Sequence, residues 1–205
     1  MLTFNALSYS AGQVADLCFN PNVMSLLITK VPLLTTTVED VVSVLHQRAG
    51  SACHIVGVDG FMGAGKTALA CELAELLGGM RVSLDSYASL KHTEIEDYAA
   101  NIMQHYLISD MRKLKVTFPF VVVEGICLLE VLAALSESPD SIIYVKRISA
   151  MGLWHDGYQL EDYETNQSIH ENCEGLNKSE FEYHTKWRPH EHAHVVFERS
   201  DKETS

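Results

Sequence analysis

Eight consecutive residues, Gly60, Phe61, Met62, Gly63, Ala64, Gly65, Lys66 and Thr67, carry the types and spacing G-x-x-x-x-G-K-S/T of a polyphosphate cradle. The glycines let backbone N–H groups curl around phosphate oxygens. Lys66 supplies a point charge to β- and γ-phosphates, and the Thr67 hydroxyl is a ligand for Mg²⁺. Ala68 follows at the start of an apolar helical pattern, so its amide belongs to the same cradle at the positive end of a helix dipole. The ligand implied is a nucleoside triphosphate with Mg²⁺. The alternative is a glycine-rich turn with a surface lysine, and the strand and helix patterns on either side argue against it.

Phosphoryl transfer asks for positioned phosphates, a divalent metal, a cation on the migrating group and a residue that orients or deprotonates the acceptor. Three acids are placed to contribute. Asp85 closes the short run 80–84 and would project toward the γ-phosphate, where a carboxylate can take a proton from an acceptor hydroxyl; capping of Ser86 and Tyr87 is the competing role. Glu124 closes Val121-Val122-Val123, and an acid ending an apolar strand is suited to hold Mg²⁺ directly or through water. Asp59, just before the cradle, reads equally as a substrate contact or as an acceptor that stabilises the loop.

These residues need a scaffold, and the pattern around them supplies one. Residues 54–59 are an apolar, β-branched run suited to a buried parallel strand. Ala68, Leu69, Leu73, Leu76 and Leu77 then recur at helical spacing until Gly78-Gly79. A helix from Thr37, with Val38, Val41, Val42 and Leu45 on one face, feeds that strand. Further along, the pattern predicts a strand over 80–84 and a long helix over 93–115 with Ile95, Tyr98, Ile102 and Tyr106 on one face. A strand over 118–123, a helix over 127–135 and a strand over 141–145 follow. The remainder reads as a helical stretch around 158–172, irregular chain, and a last strand over 193–198. This alternation defines an α/β fold, a parallel sheet with helices on both faces, whose ligands bind beyond the carboxyl ends of the strands. Residues 1–35 are the least readable, 23–31 fitting either a strand or a short helix. The chain divides into an N-terminal extension over 1–36 packed on the core and one α/β domain over 37–205.

The 205 residues carry a formal net charge of −12, which excludes a general nucleic-acid binder or an anionic-membrane binder, both of which need a basic face. The same excess of acid sits awkwardly with a polyphosphate, so the few cations must be focused at the site and helped by Mg²⁺. The cysteines (Cys18, Cys53, Cys71, Cys127, Cys173) are odd in number and lack a C-x-x-C pair, which fits reduced thiols. Neither a membrane span nor a secretion signal is readable, and a soluble cytoplasmic protein is expected. The expected partner is a small-molecule acceptor, with a homodimer left open.

Taken together, Ile55-Val56-Gly57-Val58-Asp59-Gly60 with the loop, Leu84-Asp85-Ser86-Tyr87, Val121-Val122-Val123-Glu124-Gly125-Ile126, Ile143-Tyr144-Val145-Lys146-Arg147 and the tail Tyr183-His184-Thr185-Lys186-Trp187-Arg188-Pro189 resemble the uridine kinase/phosphoribulokinase family of P-loop kinases, in the same order along the chain. The resemblance implies a three-layer P-loop sandwich with a five-stranded parallel sheet of order 2-3-1-4-5. It also implies Mg²⁺ and ATP, with transfer of the γ-phosphoryl group to a hydroxyl of a nucleoside-like or other small metabolite. In that setting Asp85 is the acceptor base, Tyr87 lines the acceptor pocket and Glu124 serves Mg²⁺. Many relatives carry an arginine-rich lid after the fourth strand. Here no arginine lies between Arg147 and Arg188, so those two are the candidates for stabilising the migrating charge. Two rival classes share the loop: a non-catalytic ATP-binding regulator, and an NTPase that uses water as acceptor.

Two other signals are discounted. Asn177-Lys178-Ser179-Glu180 resembles a guanine-reading N-K-x-D but ends in Glu and follows no readable strand. His190, His192 and His194 alternate, yet no acid or cysteine spacing completes a metal site around them.

Overall fold

The computed structural model describes residues 31–89, 97–166 and 173–200. The ambiguous stretch 23–30, most of the extension over 1–36, Ile95 and the end of the helical stretch at 167–172 lie outside the described residues. In chain order the strands are β1 (Leu33–Thr35), β2 (His54–Asp59), β3 (Met80–Ser83), β4 (Phe120–Glu124), β5 (Ser141–Ile148) and β6 (Val195–Ser200). They form one parallel sheet of order β1-β6-β5-β2-β4-β3. The helices are α1 (Val38–Arg48), α2 (Lys66–Leu76), α3 (Gln104–Thr117), α4 (Leu128–Ala134), α5 (Gly157–Thr165), α6 (Gly175–Trp187) and α7 (Pro189–His192), with a 3₁₀ turn at Leu84–Tyr87.

β2 is buried at every position because it runs between β4 and β5 and has helices on both sides. Its side chains alternate between two cores, as a pleated strand requires. Ile55 packs with Val82, Val121 and Val123 beneath residues of α3, α4 and α6. Val56 and Val58 pack with Val122, Ile143 and Val195 beneath Val41 and Leu45 of α1 and Leu69 and Leu73 of α2. Burying each large aliphatic side chain contributes about 1.5–3 kcal/mol, so the two cores hold the sheet as a rigid platform.

Three expectations are corrected. The sheet has six strands among the described residues instead of five. The additional strand, β1, pairs with β6 and covers an edge whose amides would otherwise face solvent unpaired. It is three residues long and follows Pro32, features that suit an outermost strand.

The long helix over 93–115 is also shorter than expected, with α3 beginning at Gln104. Residues before it turn back on the 3₁₀ segment. The Met103 amide donates to the Tyr87 carbonyl at 2.8 Å and the Ser89 amide to the Asn101 carbonyl at 3.1 Å, so those groups serve a loop clasp in place of a helical ladder. Tyr98 and Ile102 are buried by that clasp, while Tyr106 is exposed. Finally, the chain expected to be irregular after 172 contains α6, thirteen residues long.

Candidate active site

The phosphate loop leaves the carboxyl end of β2, beside the point where the strand order turns from β4 to β5, which is where open parallel sheets bind ligands. Two of its glycines are dictated by geometry. Gly60 has φ +145°, and a Cβ there would lie 2.6 Å from the Val145 carbonyl oxygen. Gly65 has φ +100°, and a Cβ there would overlap the guanidinium of Arg199, which lies against the loop. α2 then starts at Lys66 with its amides facing the loop.

A cavity of about 210 Å³ opens beyond the loop, lined by Met62, Gly63, Gly65, Lys66 and Thr67 together with Asp85, Glu124, Gly125 and Ile126. Lys66 is buried and its Nζ donates to the carbonyls of Gly60 and Phe61, both at 2.8 Å. Burial pushes its pKa down, and Glu180, Asp59, Glu124 and Asp85 oppose that shift. The Thr67 hydroxyl donates to Glu124 Oε2 at 3.3 Å, and Arg81 Nη1 donates to Glu124 Oε1 at 2.8 Å. Asp85 sits in the 3₁₀ turn, where its Oδ1 accepts from the hydroxyl of buried Tyr98 at 2.5 Å.

Asp59 is fully buried below the loop. One carboxylate oxygen accepts from the Gly60 amide at 2.7 Å and the other from the Tyr183 hydroxyl. Burial raises its pKa to about 6, against the pull of those two hydrogen bonds and of Lys66. Phe61 is buried under the loop as well, stacked on His184 at 3.8 Å between ring centroids. Ala64 is buried in the core of the α1/α2 face, while Ala68 is exposed on α2.

Lys66, Thr67, Asp85 and Glu124 are thus brought together around one cavity; three other candidates are placed elsewhere. Tyr87 lines a separate groove beside the edge strand β3 and donates to Asp110 Oδ2 at 3.1 Å. Arg188 follows α6 with φ +46° and pairs with Glu191 at 2.5 Å, and it does not line the phosphate cavity. Arg147 lies on β5 in register with Arg199 and does not line that cavity either.

Residues to which the sequence analysis assigned no role at the site hold it in shape. Arg81 and Tyr98 orient Glu124 and Asp85, and α6 reaches the loop with Glu180, Tyr183 and His184. The signal for α6 was present at Leu176, Tyr183 and Trp187. The pattern was broken by the buried polar side chains Glu180 and His184, whose task is to meet the loop.

A Mg²⁺ ion fits the donor set as a nucleotide-borne metal. Among the described residues no three His, Cys, Asp or Glu side chains gather as a metal cluster. The hydroxyl of Thr67 and the carboxylate of Glu124 nevertheless face each other at the cavity, the pair that Mg²⁺ takes when phosphate and water oxygens fill its other positions. His190, His192 and His194 do not form a metal site. His190 packs near Tyr144 and Trp154 with its pKa lowered to about 4, chiefly by burial, and His194 Nδ1 accepts from the Ile142 amide at 2.9 Å.

The sheet order, the loop between β2 and α2 and the acids at the ends of neighbouring strands give a fold similar to that of P-loop kinases. Among solved structures, a possible uridine kinase from Bacillus stearothermophilus shares this fold, with a TM-score of 0.53, 16% identity, and coverage of 78% of this chain and 96% of that one. A proposed fructose transport system kinase from Silicibacter sp. TM1040 aligns with a TM-score of 0.46, 14% identity and coverage of 82% and 100%. A thymidylate kinase from Ehrlichia chaffeensis follows with a TM-score of 0.36, 10% identity and coverage of 73% and 92%. No family model and no curated protein matches the chain. At these identities the likeness defines the fold. Among the described residues no helix is long and apolar enough to cross a membrane.

Proposed function

We infer that the chain is a Mg²⁺-dependent kinase that transfers the γ-phosphoryl group of ATP to a hydroxyl of a small, nucleoside-like or other metabolite. The observation that carries this reading is the convergence of Lys66, Thr67, Glu124 and Asp85 on one cavity at the end of β2. The loop amides and Lys66 hold the phosphates, and the Lys66 charge opposes the negative charge of the migrating group. When bound, Mg²⁺ would be held by Thr67 and Glu124 and would neutralise phosphate charge. Asp85, whose rotamer the Tyr98 hydrogen bond helps to fix, accepts the proton of the acceptor hydroxyl. The product acid then returns its proton to solvent.

Replacing Asp85 with Asn tests the assignment. ATP-dependent phosphorylation across a panel of nucleosides, vitamins and sugar phosphates is expected to fall by about 10²–10⁴-fold while nucleotide binding is kept. Phosphorylation near the wild-type rate would remove Asp85 as base. A second reading, a nucleotide-binding regulator without turnover, draws support from Arg188, which is paired with Glu191 outside the cavity. Nucleotide binding with no ADP formed from any acceptor, or from water, would favour it.

A further inference from the structure

α6 grips the first half of the phosphate loop through three side chains on one face. Glu180 accepts the Met62 amide at 2.6 Å, Tyr183 donates to Asp59 and His184 stacks on Phe61. The spacing i, i+3, i+4 puts all three on the same stripe of the helix. The Glu180 contact differs in kind from the others. Its carboxylate is an anion seated on a loop amide, the type of group that phosphate loops present to phosphate oxygens. It is only 4% exposed, so water does little to screen it. The same carboxylate is the foremost of the anions that support the charge on Lys66.

We propose that Glu180 is the residue that sets nucleotide affinity: it competes with the terminal phosphate for the loop and becomes a neutral acid when the nucleotide binds, so that binding takes up a proton. This rests on the nucleotide-binding reading above. Two anions cannot share a buried loop whose other charges are mostly acids. In the neutral form the side-chain carbonyl oxygen of Glu180 still accepts the Met62 amide, and the negative charge behind the loop is removed. The proton comes from solvent, and no covalent bond is made or broken apart from the O–H formed on Glu180.

The groups facing Glu180 among the described residues pull in both directions. Lys66 and the Met62 amide hold the carboxylate charged. Asp59 from β2 and Asp156 at the start of α5 push the other way, and burial is the largest influence, raising the pKa to about 7. The neighbouring thiol of Cys127 is itself pushed up by burial and by Asp59 and Glu180, and His184, on the next turn of α6, is neutral, its pKa lowered to about 3. The free carboxylate is therefore close to balance near neutral pH, where a nearby phosphate tips it.

The test is calorimetric titration of wild type and Glu180→Gln with Mg–AMPPNP, at pH 6 in MES and Bis-Tris and at pH 8 in HEPES and Tris, each pair differing in ionisation enthalpy. Gln keeps an oxygen on the Met62 amide and removes only the charge. At pH 8, about one unit above the pKa of Glu180, wild type should bind about tenfold more weakly than the variant and take up close to one proton. At pH 6 the two affinities should converge, and the variant should take up almost no proton at either pH. Uptake of the same size by both proteins would assign the proton to Lys66 or Asp59 and overturn the proposal. So would tight wild-type binding without uptake. A variant that fails to fold leaves the wild-type uptake and its pH dependence as the deciding measurement. If neither protein binds Mg–AMPPNP, the nucleotide reading itself falls, and this inference with it.

Discussion

His184 makes the chain sensitive to acid in a way that can be calculated. It is fully buried, stacked on Phe61, and its Nδ1 meets the Glu180 carbonyl at 2.8 Å, so Nδ1 carries the hydrogen. Nε2 has no partner among the described residues. Burial is the main reason its pKa falls from 6.5 to about 3. The folded state thus binds fewer protons than the unfolded state between those two values. The stabilisation is complete above pH 6.5 and is lost as pH falls through the window toward 3. Between pH 7 and pH 4.5 the loss amounts to about 2.5 kcal/mol, and because pH 4.5 lies well above the folded value, this figure is insensitive to where that value falls. His184→Phe keeps a ring over Phe61 and removes both the titration and an unsatisfied nitrogen. Its stability at pH 7 should lie within about 1 kcal/mol of wild type, since a lost hydrogen bond and a removed orphan nearly offset each other. Urea unfolding at pH 7 and pH 4.5 then reads the difference between the proteins, in which Asp59, Glu180 and His190 largely cancel. The variant should gain about 2.5 kcal/mol over wild type at the lower pH. A difference that does not change with pH would refute the reasoning.

Tyr183→Phe leaves buried Asp59 with the Gly60 amide alone and deprives the Leu129 amide of its acceptor at 3.2 Å, so unfolding free energy should drop by about 2–4 kcal/mol. The drop should be larger above pH 6, where Asp59 is ionised, than below it, and urea titrations at pH 5 and pH 8 check the sign. Gly65→Ala forces a side chain into φ +100° and against Arg199; nucleotide affinity measured calorimetrically should fall by more than about tenfold, with the far-ultraviolet circular dichroism unchanged. Chelation of Mg²⁺ by EDTA should weaken ATP binding by more than about thirtyfold, because the carboxylates around the cavity then meet the phosphates without a neutralising cation. Equal affinities with and without EDTA would count against Thr67 and Glu124 as the metal-holding pair.

The half of the site that sits at strand ends was legible because chemistry and periodicity coincide there. An apolar run that stops at Asp59, Asp85 or Glu124 announces both the strand and the residue it delivers. The helix that supports the loop was not legible, since Glu180 and His184 interrupt its apolar stripe for a reason visible only in three dimensions. Ser179 and Glu180, set aside with a guanine-reading pattern, instead make contacts around the candidate site. The Tyr98 amide donates to Ser179 Oγ at 3.2 Å, and Glu180 meets the loop. The α3 boundary was misplaced because Tyr98 and Ile102 have helical spacing but spend their contacts on Asp85 and the core. β1 went unread because a strand of three residues carries too few positions to show alternation.

The charge problem posed by a net −12 is resolved locally, and in an unexpected direction. Among the described residues Lys66 stands amid Asp59, Asp85, Glu124 and Glu180, and Arg81 is committed to Glu124. Neither Arg147 nor Arg188 lines the cavity, while Arg199 lies against the loop at Gly65. On the proposed reading a polyphosphate meets more acid than base in this part of the site, which is why Mg²⁺ and an acid able to give up its charge enter the proposal. Asp59 and Glu180, the two carboxylates whose burial raises their pKa toward neutrality, are the two that α6 and the loop enclose. If the proposed function and the proton uptake at Glu180 both hold, the work usually assigned to lid arginines falls to metal binding and proton uptake, and pH and Mg²⁺ control nucleotide occupancy.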